Sequence, residues 1–369
     1  MVNTTSLSKE SIPPTVEMNF PDLRVLVRWE RFSKLTYGGG AMRVGVIGPM
    51  DLDSFADNVF DCLESMGIDA VHLGTPRPVF RLSKLSAAYD FAARALPAID
   101  ERVQSSLAKK AVEYECDLVI STQSEILPGT VADIRAAGIP IVLWFPDAVS
   151  NLGRQLMFAA DYSRLYMKDP LLVERVGSVT GKSVAYLPEA CNPRWHKPDE
   201  IPYGTKPGMV LAGNMYPTRV LLLNRLISAG VPLRLYGAGF PSWMPKGPAM
   251  NAYQNEFVVR SDKAQVFRQA TAVLNNLHPS ELTSVNCRLF EAAGSGAAVI
   301  TEYRPALNDL FDVGSEVLAF SNFDELMGHW QDLASDPELG AKIGHAAAVR
   351  AVAEHTYQHR LRVILEDVA

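Results

Sequence analysis

From Met42 onward the chain repeats one pattern: a short apolar run, a polar or glycine turn, then apolar positions at helical spacing. Met42-Arg43-Val44-Gly45-Val46-Ile47-Gly48 reads as a buried strand entering a glycine turn. Between Ser54 and Met66 the residues Phe55, Val59, Phe60 and Leu63 fall on one helical face, and Gly67 ends that helix. Asp69-Ala70-Val71-His72-Leu73 then predicts a second strand. The series continues with a helix up to Tyr114, a strand over Leu118 to Ser121, a helix ending at Gly138, and the apolar strand Ile141-Val142-Leu143-Trp144-Phe145. Strands alternating with helices imply a parallel sheet whose ligand-bearing loops lie at the strand C-terminal ends.

Prolines 188, 193, 198, 202 and 207 interrupt this periodicity, which restarts at Gly208-Met209-Val210-Leu211-Ala212-Gly213. A helix over Arg219 to Ala229, a strand Leu233 to Gly237, a strand Ala272 to Leu277 and a strand Ala298 to Thr301 follow, with helices to the end. The expected organisation is an N-terminal extension (1–41), a first Rossmann-like domain (42–200), a second (201–345), and a C-terminal helix (346–369) that packs back on the first. The fold class is α/β, with two parallel sheets facing a central cleft.

Length supports two domains, because 369 residues at 48% hydrophobic content exceed what one core usually holds. A net charge of −6 leaves no general cationic excess for a polyanion, so no nucleic acid is expected as partner. Cys62, Cys116, Cys191 and Cys287 are widely spaced, as reduced, buried thiols are. The N-terminus carries Glu10, Glu17 and prolines where a signal peptide needs an apolar core, and no run is long enough for a membrane span. A soluble, cytoplasmic protein is expected.

The stretch from His278 to Ile300 carries the most chemistry. A strand ends in the polar loop His278-Pro279-Ser280-Glu281-Leu282-Thr283-Ser284, and a short helix beginning near Val285 follows. Its backbone N–H groups and positive end point into the mouth of the cleft, where an anionic diphosphate fits. Arg288 and Glu291, three apart, share a helical face: a guanidinium for phosphate oxygens beside a carboxylate for a ribose diol. The same spacing also suits a plain surface ion pair.

Pro279-Ser280, Asn286-x-Arg288-x-Phe290-Glu291-Ala292-Ala293-Gly294, His355-Thr356-Tyr357-Gln358-His359-Arg360 and Leu187-Pro188-Glu189-Ala190-x-Asn192-Pro193 together resemble the glycosyl transferases group 1, and especially their spore-maturation (CgeB-like) branch. The resemblance implies the GT-B fold and a nucleotide diphosphate sugar as donor substrate, with no further cofactor and no metal. It places Glu291 at the second Glu of an E-x7-E pattern, the ribose-binding position. The first Glu falls on Thr283, a departure that leaves its sugar-hydroxyl role without a carboxylate. It also implies a diphosphate contact from Arg219 after Gly213-Asn214, and a nucleobase resting against Val258, Val259 and Arg260. Ser280, Thr283, Ser284 and Asn286 complete the candidate donor contacts. Asp147, after an apolar strand, is the candidate to orient an acceptor hydroxyl or take its proton, unless it only caps its loop.

Asp51-Leu52-Asp53 has the look of a metal-binding D-x-D, but its place after the first strand favours helix capping by Asp53 or Ser54. His355 and His359 lack the intervening Glu of a zinc motif and read as structural, and His196 reads as packing at the domain boundary. Gly45 to Gly48 lacks the full G-x-G-x-x-G spacing of dinucleotide sites. The resulting expectation is a retaining, metal-independent hexosyltransferase acting on an unidentified acceptor. A nucleotide-sugar epimerase and a non-catalytic nucleotide-sugar-binding partner protein are the competing functions.

Overall fold

The computed structural model describes residues 36–37, 40–78, 89, 92–93, 96–148, 155–198 and 201–368. The chain divides into residues 1–40 and 41–369. Of the first unit only the short strand Thr36–Tyr37 and Gly40 are described, so the expected N-terminal extension lies almost wholly outside the described residues.

The second unit holds two sheets. In the first lobe, β1 (Arg43–Ile47), β2 (Asp69–Gly74), β3 (Leu118–Ser121), β4 (Ile141–Phe145), β5 (Arg164–Met167) and β6 (Val184–Tyr186) lie in the order β2-β1-β3-β4-β5-β6, all neighbours parallel. In the second, β7 (Met209–Ala212), β8 (Leu233–Tyr236), β9 (Ala272–Asn275), β10 (Val299–Glu302) and β11 (Leu318–Phe320) repeat the scheme as β8-β7-β9-β10-β11. Each sheet reverses its winding direction at its first strand, between β1 and β3 and between β7 and β9. In open parallel sheets those switch points open a crevice at the strand C-terminal ends, where ligands bind.

Helices α1 (Phe55–Ser65), α2 (Pro97–Glu113), α3 (Pro128–Ala136) and α4 (Pro170–Thr180) cover the first sheet. The second carries α5 (Pro217–Ser228), α6 (Arg260–Arg268), α7 (Cys287–Gly294), α8 (Phe323–Ser335) and α9 (Pro337–Glu354). β4 is buried along its whole length, as a central parallel strand flanked by helices must be. Ser54 caps α1 by accepting from the Asp57 N–H at 3.2 Å, while Asp57 accepts from the Asp53 N–H at 2.7 Å. The first bond satisfies an orphan donor of the helix's first turn and assigns the cap to Ser54; the second ties the preceding residue to the same turn.

The chain crosses between lobes twice. The first crossing runs from Leu187 to Pro198, and α9 runs unbroken across residue 345 before the second. There Cys191 donates its N–H to His355 and accepts from the Tyr357 N–H, each at 3.0 Å. α10 (Tyr357–Val368) then buries Tyr357, Leu361, Ile364 and Leu365, one helical stripe, in the core of the first lobe beside Trp144 and Val44. Each such side chain contributes about 1.5–3 kcal/mol by leaving water, enough to hold the last helix on a lobe distant in sequence. No helix among the described residues is long and apolar enough to cross a membrane.

Candidate active site

At the switch point of the second sheet the chain leaves β7 through Gly213, whose φ of +149° is disfavoured for residues with a side chain. A Cβ there would lie 2.1 Å from Nη2 of Arg288 and 3.2 Å from Nη1 of Arg219. Glycine is therefore required both by the backbone angle and by two guanidinium groups lying against it. Arg288, in the first turn of α7, donates to the Ala212 carbonyl and, at 3.2 Å, to Oδ1 of Asn275. Arg219, 3% exposed on α5, donates to Oδ1 of Asn276 at 2.8 Å, to the Asn276 carbonyl at 3.0 Å and to the Asn214 carbonyl at 2.6 Å, and stacks on Tyr216.

All of these acceptors are neutral, so they fix the two cations without cancelling their charge. Burial, and then the like charge of Arg288, push the Arg219 guanidinium down to about 9. An anion between the two would relieve that repulsion. α7 adds a further attraction: its N-cap Asn286 makes no side-chain cap bond, and its Oδ1 has no hydrogen-bond partner. The first-turn N–H groups thus lack a side-chain cap.

Glu291, one turn along α7, has different partners from Arg288. Its buried carboxylate accepts through Oε1 from Lys263 Nζ on α6 at 2.8 Å, and the same ammonium lies 2.6 Å from Oδ2 of Asp53 in the first lobe. The surface ion pair that the spacing also suited is not formed: each side chain has its own partners. Burial alone would raise the Asp53 carboxyl, but His196 and Lys263 outweigh it and hold the group well below the carboxylate range. His196 is 0% exposed; its Nδ1 accepts from the Asn192 N–H at 3.1 Å, so the neutral ring carries its proton on Nε2, 3.7 Å from Asp53. Asp53, His196 and Glu291 lie close enough to suggest a cation site. However, Nε2–H is a donor rather than a ligand, and the Lys263 ammonium already sits between the two carboxylates. These residues do not fit a metal.

A second polar cluster joins the lobes beside the first. Lys168, just past β5, lies 3.2 Å from Glu189, just past β6, and 2.7 Å from Glu281 of the second lobe, which also accepts from Ser284 at 2.5 Å. All four are buried or nearly so. Lys168 stays protonated despite burial because two carboxylates face it. Burial pushes Glu189 up to about 7; Lys168 opposes this and Glu281 adds to it. A carboxyl with ordinary value 4.5 and folded value about 7 binds more protons when folded. Its contribution to stability is full below about 4.5 and is lost as pH rises through about 7. Glu189→Gln is expected to flatten the fall in stability between pH 5 and 7, read by urea unfolding at each pH; an unchanged slope removes Glu189 as its source.

Thr283, at the position of the first Glu of the E-x7-E pattern, donates through Oγ1 to Asp169 at 2.6 Å and through its N–H at 3.2 Å, fastening the loop before α7 to the first lobe. Ser280 sits at the start of that loop, where its N–H donates to the ring of the exposed His278. Arg260 is not at the switch point. Its guanidinium forms a forked pair with Asp57 at 2.7 Å and stacks on Trp195, while its N–H donates to Asp53 at 2.8 Å. The side chain thus bridges lobes, while Val259 is the N-cap of α6. Asp53 and Arg260, with φ of 65° and 49°, both adopt the left-handed region without being glycine. Such strain costs about 1–3 kcal/mol each and persists where surroundings enforce it. Asp147 is exposed at the end of β4. His355 donates Nε2–H to the Leu310 carbonyl at 2.6 Å and accepts from Arg360, and His359 pairs with Thr356, so the two imidazoles serve different partners. The cysteines are all free thiols.

Residues 219–366, less than half of the chain, match the family described as glycosyl transferase-like. No curated protein matches the sequence. Among solved structures, Anabaena HepE in complex with UDP-glucose superposes with a TM-score of 0.62 at 12% identity, covering 88% of this chain and 98% of that one. Sucrose-phosphate synthase from Thermosynechococcus elongatus gives 0.61 at 11% identity over the same shares. An E. coli structure described as trehalose-6-phosphate bound with UDP-2-fluoro glucose gives 0.59 at 13%, again covering 88% and 98%. The two parallel-sheet α/β domains therefore have the GT-B architecture of these glycosyltransferase neighbours.

Proposed function

We propose that this protein is a glycosyltransferase that moves a glycosyl group from a nucleoside diphosphate sugar to an acceptor hydroxyl, with retention of configuration and without a metal. The observation that carries this is the convergence of Arg219 and Arg288 on Gly213 at the β7/β9 switch point, next to the first turn of α7. In this reading the diphosphate lies between the guanidiniums, Glu291 accepts from the ribose hydroxyls, and the base rests against the backbone near Val259. When the bond from the anomeric carbon to the diphosphate oxygen breaks, negative charge grows where fixed cations and N–H dipoles already point, and that electrostatic stabilisation lowers the barrier. Asp147 is assigned to the acceptor hydroxyl. Retention, a hexosyl group and the spore-maturation branch follow from the sequence resemblance. Metal independence is supported by Lys263, an ammonium at the place a cation would occupy.

Uridine diphosphate sugars, named in the HepE and E. coli structures, are the first donors to test. A nucleotide sugar that binds the folded chain raises its melting temperature by mass action. The expected result is a shift with one nucleoside diphosphate sugar, slow release of free sugar from it, and the same rate in EDTA. Binding without release points to a non-catalytic partner protein, and an isomeric nucleotide sugar as product points to an epimerase. Loss of activity in EDTA, restored by Mg²⁺ or Mn²⁺, rejects metal independence.

A further inference from the structure

We infer that Lys263 is a positioning residue that aims Glu291 at the donor ribose and ties it to Asp53 of the opposite lobe, so that donor binding and closure of the cleft draw on one buried ammonium. The inference rests on the donor site proposed above. Lys263 stands on α6, with a side chain 12% exposed, and reaches Glu291 Oε1 at 2.8 Å and Asp53 Oδ2 at 2.6 Å. Two carboxylates from different lobes therefore share a single cation. Held at Oε1, Glu291 cannot rotate freely, and Oε2 is left to accept from a vicinal diol. Without Lys263, the Glu291 carboxylate loses the contact that fixes its orientation.

The Asp53 end is built with equal care. Asp53 is held in the left-handed region after β1, its Oδ2 accepts from the Arg260 N–H at 2.8 Å, and the Nε2–H of His196 faces Oδ1. Arg260 is itself left-handed and clamps Asp57, four residues beyond Asp53. Parting the lobes breaks the Lys263–Asp53 contact but leaves Lys263 on Glu291, because α6 and α7 belong to the same lobe. The two ends of the link are thus separable: the Glu291 end serves donor binding, and the Asp53 end serves closure and hence turnover.

The test uses the full-length protein. Calorimetry with uridine, guanosine and adenosine diphosphates identifies the tightest ligand, and its 2′,3′-dideoxy analogue measures the ribose contribution. Lys263→Met is expected to bind that diphosphate about tenfold more weakly and to lose most discrimination against the dideoxy form, with Lys263→Arg recovering part of both. Asp53→Asn, which leaves Lys263 on Glu291, is expected to bind donor as wild type does but to turn over at least about tenfold more slowly, a change in kcat at constant KM. Full dideoxy discrimination in Lys263→Met, or wild-type kcat in Asp53→Asn, overturns the inference. If Lys263→Met fails to fold, Asp53→Asn decides alone, because it removes one buried charge and keeps the cation paired. If wild type binds none of the three diphosphates, the donor site itself is misplaced and the inference falls with it; failure confined to the variants leaves the donor site standing.

Discussion

Arg288→Ala is expected to lower kcat by about a hundred- to a thousandfold, the range seen when one preorganised electrostatic donor is removed, while KM for the donor rises only severalfold. The asymmetry follows from where charge develops. In the bound donor the diphosphate charge is shared over several oxygens, but as the glycosidic bond breaks it concentrates on the leaving oxygen, so a cation placed there gains strength in the transition state. Arg288 is held for that task by the Ala212 carbonyl and Asn275, with Gly213 letting the guanidinium approach the backbone. Its removal also relieves the like-charge pressure on Arg219, which is why binding suffers less than turnover. Steady-state kinetics with the donor identified by thermal shift gives both constants. A raised KM at unchanged kcat places Arg288 in ground-state binding only.

The elements nearest this site were readable because periodicity is local. The helix expected between Ser54 and Met66 is α1 with Ser54 as its cap; the strand expected at Ala298 to Thr301 is β10; and the glycine turn after Leu211-Ala212 is the switch-point turn. The spacing of Arg288 and Glu291 is visible for the same reason: two residues three apart on a helix that follows a polar loop need no knowledge of the rest of the chain, and α7 is that helix.

What the chain conceals is pairing between lobes. Lys263 meets Asp53 across 210 positions and Glu291 across 28, and Lys168 meets Glu281 across 113; none of these pairs leaves a local pattern. Lys263 stands on a short helix among polar neighbours and looks like a solvated residue until the lobes are assembled. Arg260 is a further case: the resemblance gives it a backbone contact with the base, and its side chain pairs with Asp57 of the other lobe across 203 positions, which no local pattern announces. Thr283, at the place of the missing first carboxylate, donates its hydroxyl to Asp169 across 114 positions, another pairing the spacing does not show. Sequence spacing identifies which helix face a residue occupies; only the packed lobes determine which partner reaches it first.

Glu291→Ala is expected to weaken donor binding by about ten- to a hundredfold, because hydrogen bonds to a charged acceptor are worth about 1.5–3 kcal/mol. The variant should still fold. Removing one partner of a buried ion pair can cost about 3–5 kcal/mol, but Lys263 retains Asp53 at 2.6 Å and is not left as an isolated charge. Glu291→Gln separates the two contributions: it preserves shape and an acceptor for Lys263 while removing the negative charge, so its affinity should fall between the wild type and the Ala variant. The decisive measurement is a cycle of wild type and Glu291→Ala against the ribose ligand and its 2′,3′-dideoxy analogue. If Glu291 holds the diol, the analogue loses little further affinity in the variant, since the contact it lacks is already absent, and the cycle shows a coupling energy. If the two losses simply add, or if the variant binds as wild type does, Glu291 serves only the link between the lobes and the ribose lies elsewhere.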